Sequence, residues 1–367
     1  MAISTSLFSF FDKLWPWSKS QSVVGIDIGS SSIKVVQLRK EKEQAILETY
    51  GELAAGPYGK MGVGQAVRLP EETMVEMLKD LFKESGVNAK RAVVAIPLKS
   101  SFVTSIRVPL VSGSQMAEVI KFEARKYIPI SLEEVEMSWW ILPKNKEFSE
   151  KKAGVVQMVD VILTAVHKET VQKYRDMISK SGLSSASYEI ETFSVLRSSI
   201  FRQTVPVMII DFGASSTRMC IIDNGILKIT HNIGRGSQDL TLALSKSLGI
   251  SFERAEEMKR EIGLSTRPEH KEIVDVMESI LNFIFSEAHQ LMLGYTRKYN
   301  ESVGKAILTG SGFLMNNSID MAVKSLGIEV SLADSFAKTV YPVFLQEALR
   351  GAGPTFSVAL GSALRNL

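Results

Sequence analysis

The stretch GIDIGSSSIKVVQL, residues 25–38, decides the fold of this chain. Two runs rich in β-branched residues, VVGIDI and IKVVQL, predict two strands, and the glycine and serines between them predict a tight turn. Such a turn directs consecutive backbone N–H groups toward one point and makes a concave anion site, for which phosphate is the natural occupant. Asp27 ends the first strand and would repel a phosphate unless a cation such as Mg²⁺ lies between them. Lys34 follows the turn, where its ammonium group can reach a phosphate oxygen.

The same pattern returns at PVMIIDFGASSTRMCIID, residues 206–223, with Asp211 at the end of the first apolar run. Two copies in matching contexts indicate an internal duplication. Two such turns could hold a polyphosphate from opposite sides. One copy alone would usually be only a turn, but the pair, with a later glycine-rich strand end at LTGSGFL, residues 308–314, is hard to obtain from turn chemistry alone.

The rest of the chain divides by its patterns of apolar residues and turns. Residues 69–86 predict an amphipathic helix, and residues 101–182 a separate small α+β unit. We expect an N-terminal aromatic segment at residues 1–22 and a first lobe at residues 23–100, which about 183–205 and a C-terminal helix, 353–367, complete. An inserted α+β subdomain is expected at residues 101–182. The second lobe is expected at residues 206–352, with a helical part at about 237–303. The helix is predicted to start at Pro354, in the run PTFSVALGSALRNL.

Composition bounds the class of protein. The chain has 367 residues, of which 45% are apolar, and its 43 basic and 40 acidic side chains leave a formal charge of +3. No block of like charges suggests a nucleic-acid arm, so nucleic acid is not an expected partner. No run approaches the apolar length of a membrane span, and no signal peptide precedes the first strand, so a cytoplasmic protein is expected. The single cysteine, Cys220, lies in an apolar run, which favours a buried thiol in a reducing compartment.

The N-terminal stretch SLFSFFDKLWPWSK, residues 6–19, is dense in aromatic residues. One interpretation is an interfacial helix or a segment that docks on a partner. The other is a short segment whose aromatic side chains pack on the body of the protein. The sequence leaves both open.

At this point the motifs resemble a known superfamily. DIGSSSIK resembles the first phosphate motif of actin, the sugar kinases and the DnaK-type chaperones, DFGASST the second, and LTGSGFL the adenosine motif. Residues 112–142 are similar to the corresponding region of the PilM family, the cytoplasmic actin-like proteins of type IV pilus assembly. The resemblance implies a two-lobed α/β actin-like ATPase fold, with duplicated ribonuclease-H-like lobes that each hold a five-stranded sheet. The inserted subdomain would be the one that the family shares with the division protein FtsA.

The resemblance also implies that ATP and Mg²⁺ bind in the cleft between the lobes. It places on the first phosphate loop Asp27, Gly29, Ser30, Ser31, Ser32 and Lys34, on the second Asp211, Gly213, Ser215, Ser216 and Thr217, and on the adenosine turn Gly310, Ser311 and Gly312. Asp27 and Asp211 would hold the metal through its water molecules.

Three further residues follow from the same resemblance. Glu256 and Lys259 lie on a stretch similar to the helix that contacts adenosine or ribose, although a solvated helix face explains them too. Glu191 occupies the place of the group that orients the attacking water in relatives that hydrolyse ATP. The sequences GSG, residues 310–312, and GRGSQD, residues 234–239, depart from the commoner glycine turns, so the affinity for nucleotide can differ from that of relatives.

The implied function is an ATP-binding adaptor with at most weak hydrolysis, whose nucleotide sets its conformation. It would recruit the short cytoplasmic N-terminal peptide of a PilN-like membrane protein into a groove between the first lobe and the inserted subdomain. It would contact other pilus assembly proteins and lie peripherally at the inner membrane through them. Ile106, Val108 and Ile120 either contribute to that groove or belong to the core.

Two alternatives remain. One is an FtsA-like, self-associating filament former attached to the membrane. The other is a small-molecule kinase, which would need a substrate-activating aspartate for which the sequence offers no convincing motif between the two phosphate turns.

Overall fold

A computed structural model describes residues 22–142, 157–201 and 203–367. Nearly all of the N-terminal aromatic segment and the polar connector at residues 144–154 lie outside the described residues. The strands are β1 (Val23–Ile28), β2 (Ser32–Glu41), β3 (Gln44–Ala54), β4 (Arg91–Ile96), β5 (Ser101–Pro109), β6 (Val135–Ile141), β7 (Met158–His167), β8 (Ser185–Ile190), β9 (Val207–Phe212), β10 (Thr217–Asp223), β11 (Ile226–Ile233), β12 (Lys305–Thr309) and β13 (Glu329–Leu332). The helices are α1 (Glu71–Glu84), α2 (Gly113–Ala124), α3 (Lys168–Lys180), α4 (Glu191–Ser199), α5 (Ser237–Leu248), α6 (Phe252–Ile262), α7 (Lys271–Tyr299), α8 (Ser318–Leu326) and α9 (Gln346–Ala363).

Two five-stranded sheets with the same topology form the framework. Their strand orders are β3-β2-β1-β4-β8 and β11-β10-β9-β12-β13. In each, the first three strands form an antiparallel meander. The fourth strand, β4 or β12, pairs in parallel with the strand that carries the aspartate, and the fifth, β8 or β13, pairs in parallel with the fourth. The duplication predicted from the two aspartate–glycine turns is therefore confirmed.

The inserted unit is a three-stranded antiparallel sheet in the order β5-β7-β6, with α2 on one face. Because side chains alternate along a strand, one face packs on α2 and the other turns toward β8 and α4. Ile106, Val108 and Ile120 are fully buried between the sheet and α2. They therefore belong to the core of this unit, which is one of the two roles that the sequence left open for them.

The C-terminal helix α9 begins at Gln346, well before the predicted start at Pro354. Proline is common in the first turn of a helix, which is why the sequence suggested that start. Leu349 is fully buried on the core side and holds the additional turns. The sequence patterns did not predict β8, α4, β11 and α8, because these elements are short or lack a clear apolar period.

Helix α9 packs so close to β1 and α4 that only glycine fits at two of the contact positions. A Cβ added at Gly25 of β1 would lie 1.9 Å from the Ala359 carbonyl oxygen, and one at Gly361 would lie 1.8 Å from the Ser194 carbonyl oxygen of α4. Both distances are far below van der Waals contact. Glycine at these two positions therefore sets the separation of β1, α4 and α9.

Within the described residues, no helix combines the length and the apolar character that crossing a bilayer requires.

We predict that Gly361→Ala destabilises the protein, because the new methyl group must push α9 away from α4. Overpacking of this kind costs about 1–3 kcal/mol or more. The matched control is Gly351→Ala in the same helix, where an added Cβ meets nothing within 4 Å. There alanine should stabilise the helix by up to about 1 kcal/mol. Urea unfolding of both variants measures the difference, and equal stabilities would contradict the packing argument.

Candidate functional site

The two aspartate–glycine turns face each other across a cleft between the lobes. In the first, the Gly29 N–H donates to the Ser32 carbonyl at 3.0 Å, and in the second the Gly213 N–H donates to the Ser216 carbonyl at 3.1 Å. The turns thus repeat the same hydrogen bond in both copies. The Ser30 hydroxyl donates to the Ser215 hydroxyl at 2.9 Å and joins them across the cleft.

Most of the residues predicted from the motifs meet in this cleft, which encloses about 80 Å³. Backbone from both turns, the β12 turn and the first residue of α4 form its wall. The predicted residues that line it are Asp27, Gly29, Ser30, Ser31, Lys34, Glu191, Asp211, Gly213, Ser215, Ser216, Gly310 and Ser311.

Three predicted residues adjoin the cleft without lining it. The Ser32 hydroxyl accepts a hydrogen bond from Lys34 Nζ at 2.6 Å. The buried Thr217 hydroxyl donates to the Arg235 carbonyl at 2.7 Å, behind the second turn. Gly312 is buried against the ring of Phe212, which a Cβ would meet at 2.4 Å. In this structure their contacts shape the loops.

Glu256 and Lys259 of α6 are not brought into the cleft. Their side chains are buried and pair with each other at 2.6 Å, and the Thr241 hydroxyl donates to the same carboxylate oxygen, also at 2.6 Å. Burial lowers the pKa of Lys259, and Glu256 opposes that shift. The pair is neither a solvated helix face nor part of the cleft wall, so a role toward adenosine stays a prediction.

The base of the cleft concentrates charge. Burial raises the pKa of Asp27 to about 6, against the opposing effect of Lys34 and Arg218, while Glu191 and Asp211 add to the increase. Lys34 Nζ lies 3.3 Å from Glu52, so its charge is shared with a second carboxylate. Asp27 therefore sits where a further positive charge would be stabilising.

Arg218 is the functional residue that the motif reading missed. It pairs opposite Asp211 in the β9–β10 register, as Lys34 pairs opposite Asp27 in the β1–β2 register. Its Nη2 donates to Asp211 Oδ2 at 2.5 Å and its Nη1 donates to Glu191 Oε2. Burial lowers the pKa of Arg218, but the three acidic neighbours outweigh burial and raise it above its ordinary value. Alignment of the two copies, aspartate on aspartate, would have shown a cation at both equivalent positions.

The third side of the cleft comes from α9, which the sequence did not connect with the site. The Gly310 N–H and the Thr309 hydroxyl donate to the Pro354 carbonyl at 2.9 and 2.8 Å, and the Thr309 and Ser357 hydroxyl oxygens lie 2.6 Å apart. Gly310 has a φ of 87°, and a Cβ there would lie 2.8 Å from Asp211 Oδ1. Glycine at this turn therefore allows α9 and Asp211 to approach the same point.

No group of three or more histidine, cysteine, aspartate or glutamate side chains suited to a metal occurs in the described part of the chain. Mg²⁺ is commonly held by one or two carboxylates together with water and substrate phosphates. Asp27 fits such a cation because it lies in the cleft wall beside Glu191 and Asp211, and burial together with these two carboxylates raises its pKa. Asp211 fits less freely, since Arg218 already donates to its Oδ2.

A second, wider cavity of about 430 Å³ lies between the inserted sheet and the first lobe. Trp140 of β6 forms one side, and Tyr188, Ile190 and Phe193 form the other. Its polar edge is held by Glu189, which binds Arg197 with both oxygens at 2.6 and 2.9 Å. We call this cavity the subdomain groove.

The duplicated sheets, the opposed turns and the inserted subdomain define a protein of the actin-like ATPase class. The family profile described as type IV pilus assembly protein PilM matches residues 25–367, and the chain belongs to that family.

Comparison with solved structures and curated proteins agrees with this assignment. A chain of a PilM-PilN type IV pilus biogenesis complex superimposes with a TM-score of 0.78 at 22% identity, covering 94% of this chain and 98% of that chain. MreB5 of Spiroplasma citri bound to AMPPNP gives a TM-score of 0.55 at 12% identity, covering 96% of this chain and 97% of that chain. The cell division protein FtsA of Enterococcus faecalis is 21% identical in an alignment of length 350 that covers 86% of this chain and 79% of FtsA.

We predict that Asp27→Asn stabilises the protein at neutral pH. Because the folded-state pKa of Asp27 lies above its ordinary value, the folded state keeps a proton between about pH 4 and 6 that the unfolded state releases, and stability falls as the pH rises through this window. Asparagine has no such cost, so the gain should be about 1–2 kcal/mol at pH 7.5 and vanish near pH 4.

Thermal unfolding across this pH range measures the effect. Asp275→Asn, which replaces an exposed carboxylate on α7, is the control and should leave the melting temperature nearly unchanged at each pH. A gain for Asp27→Asn that is the same at pH 4 and pH 7.5 would show that burial of the charge is not its cause.

Proposed function

We propose that this protein is an ATP-binding, actin-like component of a type IV pilus assembly complex that recruits the N-terminal peptide of a PilN-like membrane protein. The observation that carries the nucleotide part is the pair of matched turns, which approach each other from two lobes and end strands that carry Asp27 and Asp211. We place the protein in the cytoplasm, held at the inner membrane through its partners.

In this proposal the two turns bind the phosphates of ATP. A polyphosphate between them would replace the Ser30–Ser215 hydrogen bond, and backbone N–H groups of both turns would then point at its oxygens. The cleft is smaller than the roughly 300–1,000 Å³ typical of small-molecule sites, so binding has to separate the lobes. The nucleotide would therefore set their relative position, and the binding energy would be used for conformation and not for turnover.

Mg²⁺ would accompany the phosphates and supply the positive charge that shields them from the acidic residues. Asp27 and Asp211 would hold it through bound water. Lys34, already beside the first turn, would contact a β- or γ-phosphate oxygen in exchange for its Ser32 contact. Ser311 and Gly310 would lie against the adenosine side.

We predict that Asp27→Ala plus Asp211→Ala weakens ATP binding tenfold or more when Mg²⁺ is present. Without Mg²⁺ the same variant should bind ATP at least as well as the wild type, because removal of two carboxylates also removes their repulsion of phosphate. Isothermal titration calorimetry with and without Mg²⁺ measures both affinities. Glu257→Ala, an exposed carboxylate on α6, is the control.

Failure of the wild type to bind any nucleotide would contradict this proposal. An equal loss of affinity with and without the metal would contradict the role given to the two aspartates.

The subdomain groove supports the partner part of the proposal. It lies between the first lobe and the inserted sheet, its walls are aromatic and aliphatic, and its volume suits a few side chains of an extended peptide. Trp140 keeps 49% of its surface exposed at the opening although it is a large apolar side chain. Exposed aromatic residues at a concave site are typical anchors for a protein ligand.

We predict that Trp140→Ala weakens binding of a synthetic PilN-like N-terminal peptide by at least tenfold, because the peptide loses an aromatic wall. Phe122→Ala is the matched control, since Phe122 is 66% exposed but lies on α2, across the sheet from the groove. Fluorescence polarisation of the labelled peptide measures both affinities. Equal losses for the two variants, or a loss only for Phe122→Ala, would place the peptide elsewhere.

A further inference from the structure

The Arg218 guanidinium connects the two lobes at the base of the cleft. Arg218 and Asp211 belong to the second lobe, and Glu191 begins α4 at the end of the first sheet. The side chains of Asp211 and Glu191 are 8% and 5% exposed, and that of Arg218 is 21% exposed. Water therefore screens these ion pairs weakly, and the contact is stronger than an exposed salt bridge.

The equivalent cation of the first copy makes no such connection. Lys34 and Arg218 occupy matching positions opposite an aspartate. Lys34 Nζ contacts Ser32 and Glu52, both in its own lobe. The planar fork of arginine can donate to two carboxylates at once, whereas lysine carries one compact charge. The duplicated position has thus acquired a bridging role in the second copy only.

Both carboxylate oxygens of Glu191 already accept a hydrogen bond. Its Oε2 accepts from Arg218 Nη1, and its Oε1 accepts from the backbone N–H of Leu98 at 2.6 Å. A group that orients an attacking water must accept a hydrogen bond from that water, in line with the γ-phosphorus. Glu191 is held instead between Arg218 and Leu98, because each of its oxygens accepts a hydrogen bond from one of them.

We propose that Arg218 is a positioning residue that holds Glu191 away from the attacking water and thereby suppresses ATP hydrolysis. This inference rests on the proposed function, since it concerns ATP bound in the same cleft. In the suppressed reaction, the water oxygen forms a bond to the γ-phosphorus, the bond to the bridging oxygen of ADP breaks, and a water proton passes to Glu191 Oε2. Removal of Arg218 frees that oxygen for the proton.

The test compares Arg218→Gln and Arg218→Lys with the wild type. We expect Arg218→Gln to raise kcat for phosphate release about tenfold or more, since general-base assistance contributes about 10²–10⁴-fold. The Kd for ATP with Mg²⁺ should change less than threefold. Arg218→Lys, which keeps a charge but lacks the fork, should give an intermediate rate and covers the case in which the glutamine variant does not fold. Arg297→Gln removes an exposed arginine of α7 in the same lobe and should have no effect.

Dependence on Glu191 separates this role from a general loosening of the cleft. Glu191→Gln combined with Arg218→Gln should abolish the gain. In the nucleotide-free protein, amide hydrogen exchange at Leu98 should become faster in Arg218→Gln, because Glu191 is no longer held against that N–H.

Four outcomes would overturn the inference. An unchanged hydrolysis rate with intact ATP binding overturns it alone, as does a gain that persists in the double variant. A tenfold or greater loss of ATP affinity in Arg218→Gln would mean that Arg218 contacts the nucleotide, for which its unpaired Nε is a spare donor. Failure of the wild type to bind ATP would overturn the proposed function and this inference together.

Discussion

The close approach of α9 to β1 and α4 is the constraint on which the rest of the structure depends. Gly25 and Gly361 remove the side chains that would keep these elements apart. The same helix, at Pro354, receives hydrogen bonds from the β12 turn of the second lobe. A single helix thus fixes the core of the first lobe and carries the edge of the second to the cleft. The position of the glycine turn at Gly310 is set by this packing and not by the turn alone.

Duplication then explains the electrostatics of the cleft. Each copy places an aspartate at a strand end and a cation directly opposite it, which gives the pairs Asp27–Lys34 and Asp211–Arg218. Facing the copies across one cleft brings the two aspartates together with Glu191, and their mutual repulsion contributes to the raised pKa of Asp27. Arg218 of the second lobe compensates part of this negative charge, because its side chain contacts both Asp211 and Glu191. The difference between lysine and arginine at this position therefore makes the arrangement asymmetric, and only the arginine contacts the other lobe among the contacts described for the pair.

The sequence predicted what depends on local pattern. The paired aspartate turns, the strands beside them and the inserted unit follow from apolar periodicity and turn residues, so the duplicated fold was predictable. The site was predictable where a motif lies directly on a loop, as at Ser30 and Ser215. The cation at Arg218 was predictable by aligning the two copies, but its contact with Glu191 and the contribution of Pro354 were not, because these contacts depend on how separate elements pack. The α6 pair Glu256–Lys259 shows the opposite case, since a motif resemblance does not reveal that two charged side chains bury each other.

The strand–helix junction from β8 to α4 carries both cavities. Tyr188 and Ile190 line the subdomain groove, and Glu191, the next residue, lines the cleft and binds Arg218. Because Glu191 also begins the helix that packs against Gly361 of α9, it cannot shift without moving the groove wall or the helix. A ligand that displaces β8 from β6 would therefore act on the same short run of backbone as a nucleotide that separates the lobes. Coupling between the two sites needs no long pathway here, because one peptide bond separates their walls.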